Sequence, residues 1–159
     1  MEDKADNREK ILACAIHLFY QKGYDAVGVQ EIATAAGVTK PTLYYYFKSK
    51  LGLLEALLKE CCEPLCSRLE TVAGQYQGEP GETLYNLACA FVDIAKQNRE
   101  LYFLLLSLNY SARENEAFKA VSPYMKRMFR ATTDFFLRAG DRLGNMNGRQ
   151  EQFAISFQG

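Results

Sequence analysis

Hydrophobic positions recur along this chain at intervals of three, four and seven, the spacing of one face of a helix, rather than in alternating runs. Ile11, Ala15, Leu18 and Phe19 set a first helix that Asp6 or Asn7 can cap and that Gly23 closes, near residue 22. Ile32, Ala33 and Ala36 predict a short second helix over residues 30–36, and Gly37 supplies the left-handed residue that stops it. Val38 plugs the corner. Thr39 is placed to cap a third helix over residues 40–47, with Pro41 in its first turn, where a missing N–H costs little. Leu43 and Phe47 are its apolar side; Lys40, Thr42, Tyr44, Tyr45 and Tyr46 fall on the other.

A longer helical region follows. Ser49 can cap a fourth helix reaching about residue 76, on Leu51, Leu54, Leu57, Leu58, Leu65 and Leu69, and Pro64 inside it predicts a kink near residues 60–64. The turn-rich stretch QYQGEPG separates it from a fifth helix over about 79–97, with Leu84, Leu87, Ala88, Phe91, Ile94 and Ala95 inward. Asn98 can cap a sixth, whose LYFLLLSL is apolar nearly all round and so predicts burial on more than one side. A seventh runs over about 115–139, with Pro123 marking a break or a shifted start. After the turn at 140–148, RQEQFAISFQG opens another amphipathic helix whose Phe153, Ala154 and Phe157 need a surface to pack on. The fold class is all-α.

At 159 residues the chain makes one or two small domains with a real core. Lysines plus arginines equal acidic residues at 19 each, so bulk charge gives no hint of nucleic acid. Phosphates respond to a local patch instead, and Lys40, Lys48 and Lys50 supply one with no acidic residue between them. The N-terminal MEDKADNREK is charged and is no signal peptide, and no run approaches the roughly 20 apolar residues of a membrane span. Five cysteines make an odd count without a disulfide framework, which fits a reducing cytoplasm.

Two chemistries compete for Cys61, Cys62 and Cys66: a redox or soft-metal sensor, and small core residues. No His stands near them, and two thiolates on one helix face make a poor tetrahedral site. His17 reads as an exposed helix-surface histidine. With one His, no Gly-rich phosphate loop and no nucleophile elbow, no catalytic constellation is present and no cofactor or metal is expected.

A short helix with hydroxyl and ammonium groups on one side and small residues at its packing corner suits entry into a DNA major groove. Here GVTKPTLYYYFKSKLGLLEAL, with KGYDA upstream, resembles the DNA-binding signature of the TetR family of bacterial regulators, over roughly the first third of the chain. The resemblance implies an N-terminal helix-turn-helix domain over 1–48 and a helical effector-binding and dimerisation domain over 49–159. The last helix then opens a dimer interface, and the chain reads as C-terminally short. Gly28 departs from the Ser or Thr usual at its position, which removes one phosphate contact. By resemblance and chemistry together, Thr39, Thr42, Tyr44, Tyr46 and Lys50 are expected on phosphates, and Lys40 and Tyr45 on base edges, with Pro41 against a thymine methyl.

The same resemblance implies a ligand pocket, for which Phe91, Tyr102, Leu105, Tyr124, Met125, Met128 and Phe129 are the candidates; ordinary bundle packing is the alternative for each. Asp93 and Asp134 either counter a cationic ligand or face water or an Arg. The function expected is a cytoplasmic repressor, not an enzyme. It binds a pseudo-palindromic operator as a homodimer and is released by a small hydrophobic or aromatic effector. The alternative is a DNA-binding regulator controlled by a partner protein or by cysteine redox or metal chemistry.

Overall fold

A computed structural model describes residues 2–158. The order is α1 (Glu2–Lys22), α2 (Val29–Ala35), α3 (Lys40–Phe47), α4 (Lys50–Gly74), α5 (Pro80–Gln97), α6 (Arg99–Asn109), α7 (Glu116–Ala139), a 3-10 turn (Gly140–Arg142) and α8 (Gln150–Gln158). No strand occurs among the described residues, as the periodicity requires. The chain packs as two compact units, one of Met1–Glu60 with Asn98–Ser122, the other of Cys61–Gln97 with Pro123–Gly159.

The first unit gathers Ile11, Ala15 and Phe19 of α1, Ile32 and Ala33 of α2, Leu43 and Phe47 of α3, and Leu53 and Leu54 of α4 into a buried core. Removing such side chains from water is the main favourable term, about 1.5–3 kcal/mol for each large one. α6 packs along α1. His17 Nδ1 lies 2.9 Å from Glu100 Oε1, and the rings of Tyr20 and Phe103 stand 6.2 Å apart. Just beyond α1, the buried Tyr24 packs its ring on Phe19 and donates its hydroxyl hydrogen to Glu116 Oε1 at 2.6 Å. Asn115 and Glu116 thus bring the start of α7 into the same unit as the first three helices.

The second unit is held by rings. Tyr76 meets Phe135 edge-on at 5.5 Å, while Phe136 contacts Phe153 and Phe157 of α8 at 6.2 and 6.1 Å. Phe157 also meets Phe91 of α5 at 6.4 Å. Around them run ion pairs: Arg127 binds Glu63 at 2.8 Å and Glu70 at 2.9 Å, and Arg68 binds Asp93 at 2.8 Å. Each is solvent-facing, so screening limits it to about 0–1 kcal/mol. The Arg138 guanidinium donates to the carbonyls of Ala73 and Gly74, the last acceptors of α4, which have no partner inside their own helix.

Three expectations change. α1 starts at Glu2, so Asp6 is not its cap but pairs with Lys10 one turn on; with no Gly or Pro in the polar N-terminal run, nothing halts the helix at residue 6. α7 is helical without a break at Pro123; α4 also runs on through Pro64, where the sequence predicts a kink and not a break. Both prolines are exposed, so the carbonyl each leaves unbonded can be met by water. α6 is buried on Leu101, Leu104, Leu105 and Leu108 only; Phe103 and Leu106 are exposed.

Candidate nucleic-acid interface

The segment 28–50 builds a helix, a tight turn and a second helix from chemistry confined to a few residues. Gly28 is the extended N-cap of α2 and offers no side chain to it. α2 ends as a Schellman motif: Gly37, at φ +67°, donates to the Thr34 carbonyl, and Val38 donates to that of Ala33 at 3.0 Å. Thr39 Oγ1 then accepts the amide of Thr42 at 3.3 Å and lies 2.8 Å from the Thr42 hydroxyl. That caps α3 at its first turn, which Pro41 fits without loss of a bond. α3 rests on Leu43 and Phe47 alone; both are buried.

The rest of α3 meets solvent. Thr39, Lys40, Pro41, Tyr44 and Tyr45 are exposed and Thr42 and Tyr46 half-buried. The Lys40 ammonium stands 5.8 Å over the Tyr44 ring, and Tyr45 meets Tyr46 edge-on at 5.2 Å. These seven candidates therefore share one cap and one short helix, and their hydroxyl and ammonium groups are the donors that phosphate oxygens and base acceptors take.

Lys50 differs. It is half-buried, and its Nζ donates to the carbonyls of Tyr24 at 3.0 Å and Val27 at 3.2 Å, 4.3 Å above the Tyr24 ring. An ammonium has three N–H groups, so one remains for a phosphate. Burial first, and the Glu116 bond next, push the Tyr24 phenol well above its ordinary value, so it stays a donor.

Two further residues shape the junction, and nothing in the residue pattern marks the first. Lys48 adopts φ +63°, and the Ser49 amide donates to the Phe47 carbonyl at 2.7 Å across it: a γ-turn of the strained hand. At Gly52, in the first turn of α4, any Cβ would collide with that same Phe47 carbonyl oxygen. A glycine interrupting KLGLLEALL was the available signal. Ser49 Oγ caps α4 by accepting the Gly52 amide at 2.9 Å.

The seven ligand-pocket candidates are not brought together in one unit. Tyr102 and Leu105 belong to the first, while Phe91, Tyr124, Met125, Met128 and Phe129 belong to the second. Within the second unit an open groove of about 310 Å³ is lined by Glu70, Ala73, Gly74, Arg127, Arg130, Ala131, Asp134 and Arg138, none of them a pocket candidate. Asp93 pairs with Arg68 at 2.8 Å, and Asp134 is exposed at the groove beside Arg130 and Arg138. Burial pushes the Cys66 thiol up to about 11 and the Cys62 thiol further still. Both stay protonated, unlike the thiolates that react or ligate. Among the described residues no three His, Cys, Asp or Glu side chains are grouped to hold a metal ion.

Residues 11–57, most of α1 through the start of α4, match the family model described as "Bacterial regulatory proteins, tetR family". YttP of Bacillus subtilis (strain 168), which bears the name of a probable HTH-type transcriptional regulator, is 35% identical over 99 residues, 62% of this chain and 48% of its own. IcaR of Staphylococcus aureus (strain Newman), named as the negative transcriptional regulator of the biofilm operon icaADBC, is 30% identical over 99 residues, 62% of this chain and 53% of its own. The likeness to the TetR family thus lies in the N-terminal part of the chain, residues 11–57. The chain spans about half the length of these two curated relatives. Of solved structures, FadR of Bacillus subtilis in complex with stearoyl-CoA superposes with a TM-score of 0.72 at 20% identity, over 94% of this chain and 82% of FadR. At that identity the likeness is one of fold. The family is one of regulatory proteins rather than enzymes, and no described helix is long and apolar enough to cross a membrane.

Proposed function

We propose that this chain is a cytoplasmic transcriptional regulator of the TetR family, acting as a repressor, that inserts α3 into the major groove of a pseudo-palindromic operator. The observation that carries this reading is α3 itself. It is a Thr39-capped helix anchored by two side chains, with Lys40, Pro41, Thr42, Tyr44, Tyr45 and Tyr46 at least partly exposed in a segment matching the family's DNA-binding model. Thr39, Thr42, Tyr44, Tyr46 and the remaining Lys50 N–H take phosphates and set register, while Lys40 and Tyr45 read base edges beside Pro41.

Residues 1–48 form the reading domain in this functional sense, and residues 49–159 the effector and dimerisation domain. Homodimerisation fits the exposed hydrocarbon of Phe153 and Ile155 on α8, and two heads about one helical turn apart suit a two-fold operator. Repression is favoured by the name of IcaR, and a hydrophobic effector by the stearoyl-CoA bound to FadR. Such an effector releases DNA by preferring a conformation with misplaced heads.

The test is selection of bound duplexes from a randomised pool by the full chain, followed by challenge of the complex with hydrophobic compounds. Enrichment of a two-fold-symmetric sequence that such a compound releases is the expected result. A pool that stays random overturns the reading.

A further inference from the structure

The corner between α1 and α2, residues 23–28, has little structure of its own. Apart from Gly28, whose carbonyl starts α2, its backbone closes two bonds locally, Gly23 to the Phe19 carbonyl at 2.9 Å and Val27 to that of Tyr24 at 3.4 Å. The other holds come from elsewhere in the first unit. Lys50 ties down two of its carbonyls, as described above. From the far side of the sequence, the cap and the first residue of α7 reach it. Asn115 Oδ1 caps α7 by accepting the Ala117 amide at 2.8 Å, while its Nδ2 donates to Asp25 Oδ2 at 2.7 Å. Glu116 accepts the Tyr24 hydroxyl. One helix start therefore grips two consecutive corner residues, and the corner leads directly into α2 and α3.

The quality of these bonds decides what they do. Glu116 and Asp25 are exposed and find water as soon as they let go, so the cost to the fold falls on the buried Tyr24 hydroxyl, which Tyr24→Phe removes without leaving an unpaired donor. Tyr24 keeps its ring on Phe19 and beneath Lys50 whether or not its hydroxyl is held. What the bonds add is order at the entrance to the helix pair, and a surface already ordered does not have to be fixed when a ligand arrives.

We propose that Asn115 and Glu116 are positioning residues for the reading head: through Asp25 and Tyr24 they hold the corner so that α2 and α3 meet DNA preorganised, without touching DNA themselves. The inference rests on the DNA-binding reading above.

The test uses the full chain and the duplex that the wild-type chain enriches, with affinity measured across a salt series beside the thermal midpoint. Tyr24→Phe and Glu116→Ala are each expected to bind roughly 3- to 10-fold more weakly, less than the full worth of a hydrogen bond to a charged group, because binding reads only the part spent on ordering the corner. The salt slope and base preference should not move, since no phosphate contact is lost. Glu116→Gln keeps an acceptor and should restore most of the affinity. Asn115→Asp keeps the cap of α7 but sets like charges against each other at Asp25, and should weaken binding with little change in midpoint. The double variant Tyr24→Phe/Glu116→Ala should be no worse than the weaker single, because both remove one bond. Wild-type affinity in Tyr24→Phe, Glu116→Ala and Asn115→Asp overturns the inference and leaves the DNA reading standing. So does a loss that tracks a fallen midpoint, with Glu116→Gln as weak as Glu116→Ala. If the wild-type chain enriches no duplex, the DNA reading itself falls and takes this inference with it.

Discussion

α3 and α8 are nearly the same length, eight and nine residues, and each leaves large side chains in water. On α3 these are Tyr44 and Tyr45, 39% and 70% exposed; on α8 they are Phe153 and Ile155, 41% and 58% exposed. The amounts match and the chemistry does not. A tyrosine carries a hydroxyl that water or a phosphate oxygen satisfies, so its exposure is stable in the free protein and useful in a wet, anionic interface. Phenylalanine and isoleucine have no such end, and each Å² they leave uncovered forgoes roughly 25 cal/mol. One helix is suited to nucleic acid and the other to hydrocarbon, and a count of exposed apolar residues treats them alike.

Substitutions can separate the two helices. The largest effect is expected at Leu43→Ala: α3 hangs on two buried side chains, and emptying one costs roughly 2–5 kcal/mol. Calorimetry should show the first unit melting early, with DNA binding lost and self-association kept. Next comes Ile155→Glu, which sets a charge on the hydrocarbon face of α8. If a second copy covers that face, sedimentation should show dissociation at least about 30-fold easier, as for an interface hot spot of 2 kcal/mol or more. Tyr45→Glu should leave the oligomer intact and abolish DNA binding; a dimer indifferent to Ile155→Glu would mean that α8 is covered by something else.

Lys50→Ala should weaken binding evenly across sequences and lower the salt slope by about 1 if the ammonium meets a phosphate. Weaker binding at an unchanged slope would assign it to holding the Tyr24 and Val27 carbonyls alone. The smallest effect is in the second unit. Arg127 holds the Glu70 carboxyl below its ordinary 4.5, so the pair's contribution is whole above that pH and fades as pH falls through the lower folded value. Denaturant melts in acid should therefore show a shallower pH dependence for Glu70→Gln, with no change in DNA binding at neutral pH.

Much of the reading helix was legible because its determinants lie within four residues of each other. Gly37 stops α2, Thr39 caps α3, Ser49 caps α4, and the bounds of α3 are those its sequence predicts. What escaped was long-range or non-local in cause. Tyr24 and Glu116 stand 92 positions apart, and nothing in either announces the other. The exposed Phe103 and Leu106 escaped because an all-apolar turn does not say which of its sides lacks a neighbour. The polar α3 candidates are at least partly exposed because only Leu43 and Phe47 of that helix are buried. For the aromatic candidates the sequence has no such signal, since rings that pack a bundle and rings that line a cavity are the same residues.

Position 52 inverts the ordinary preference of a helix. Alanine is the strongest helix former and glycine among the weakest, yet here the methyl group has nowhere to go but into a peptide oxygen at the end of the preceding helix. The direction in which the chain leaves its reading helix is thus fixed by an omitted carbon, so a change there that improves α4 in isolation would turn α3 away from its present bearing.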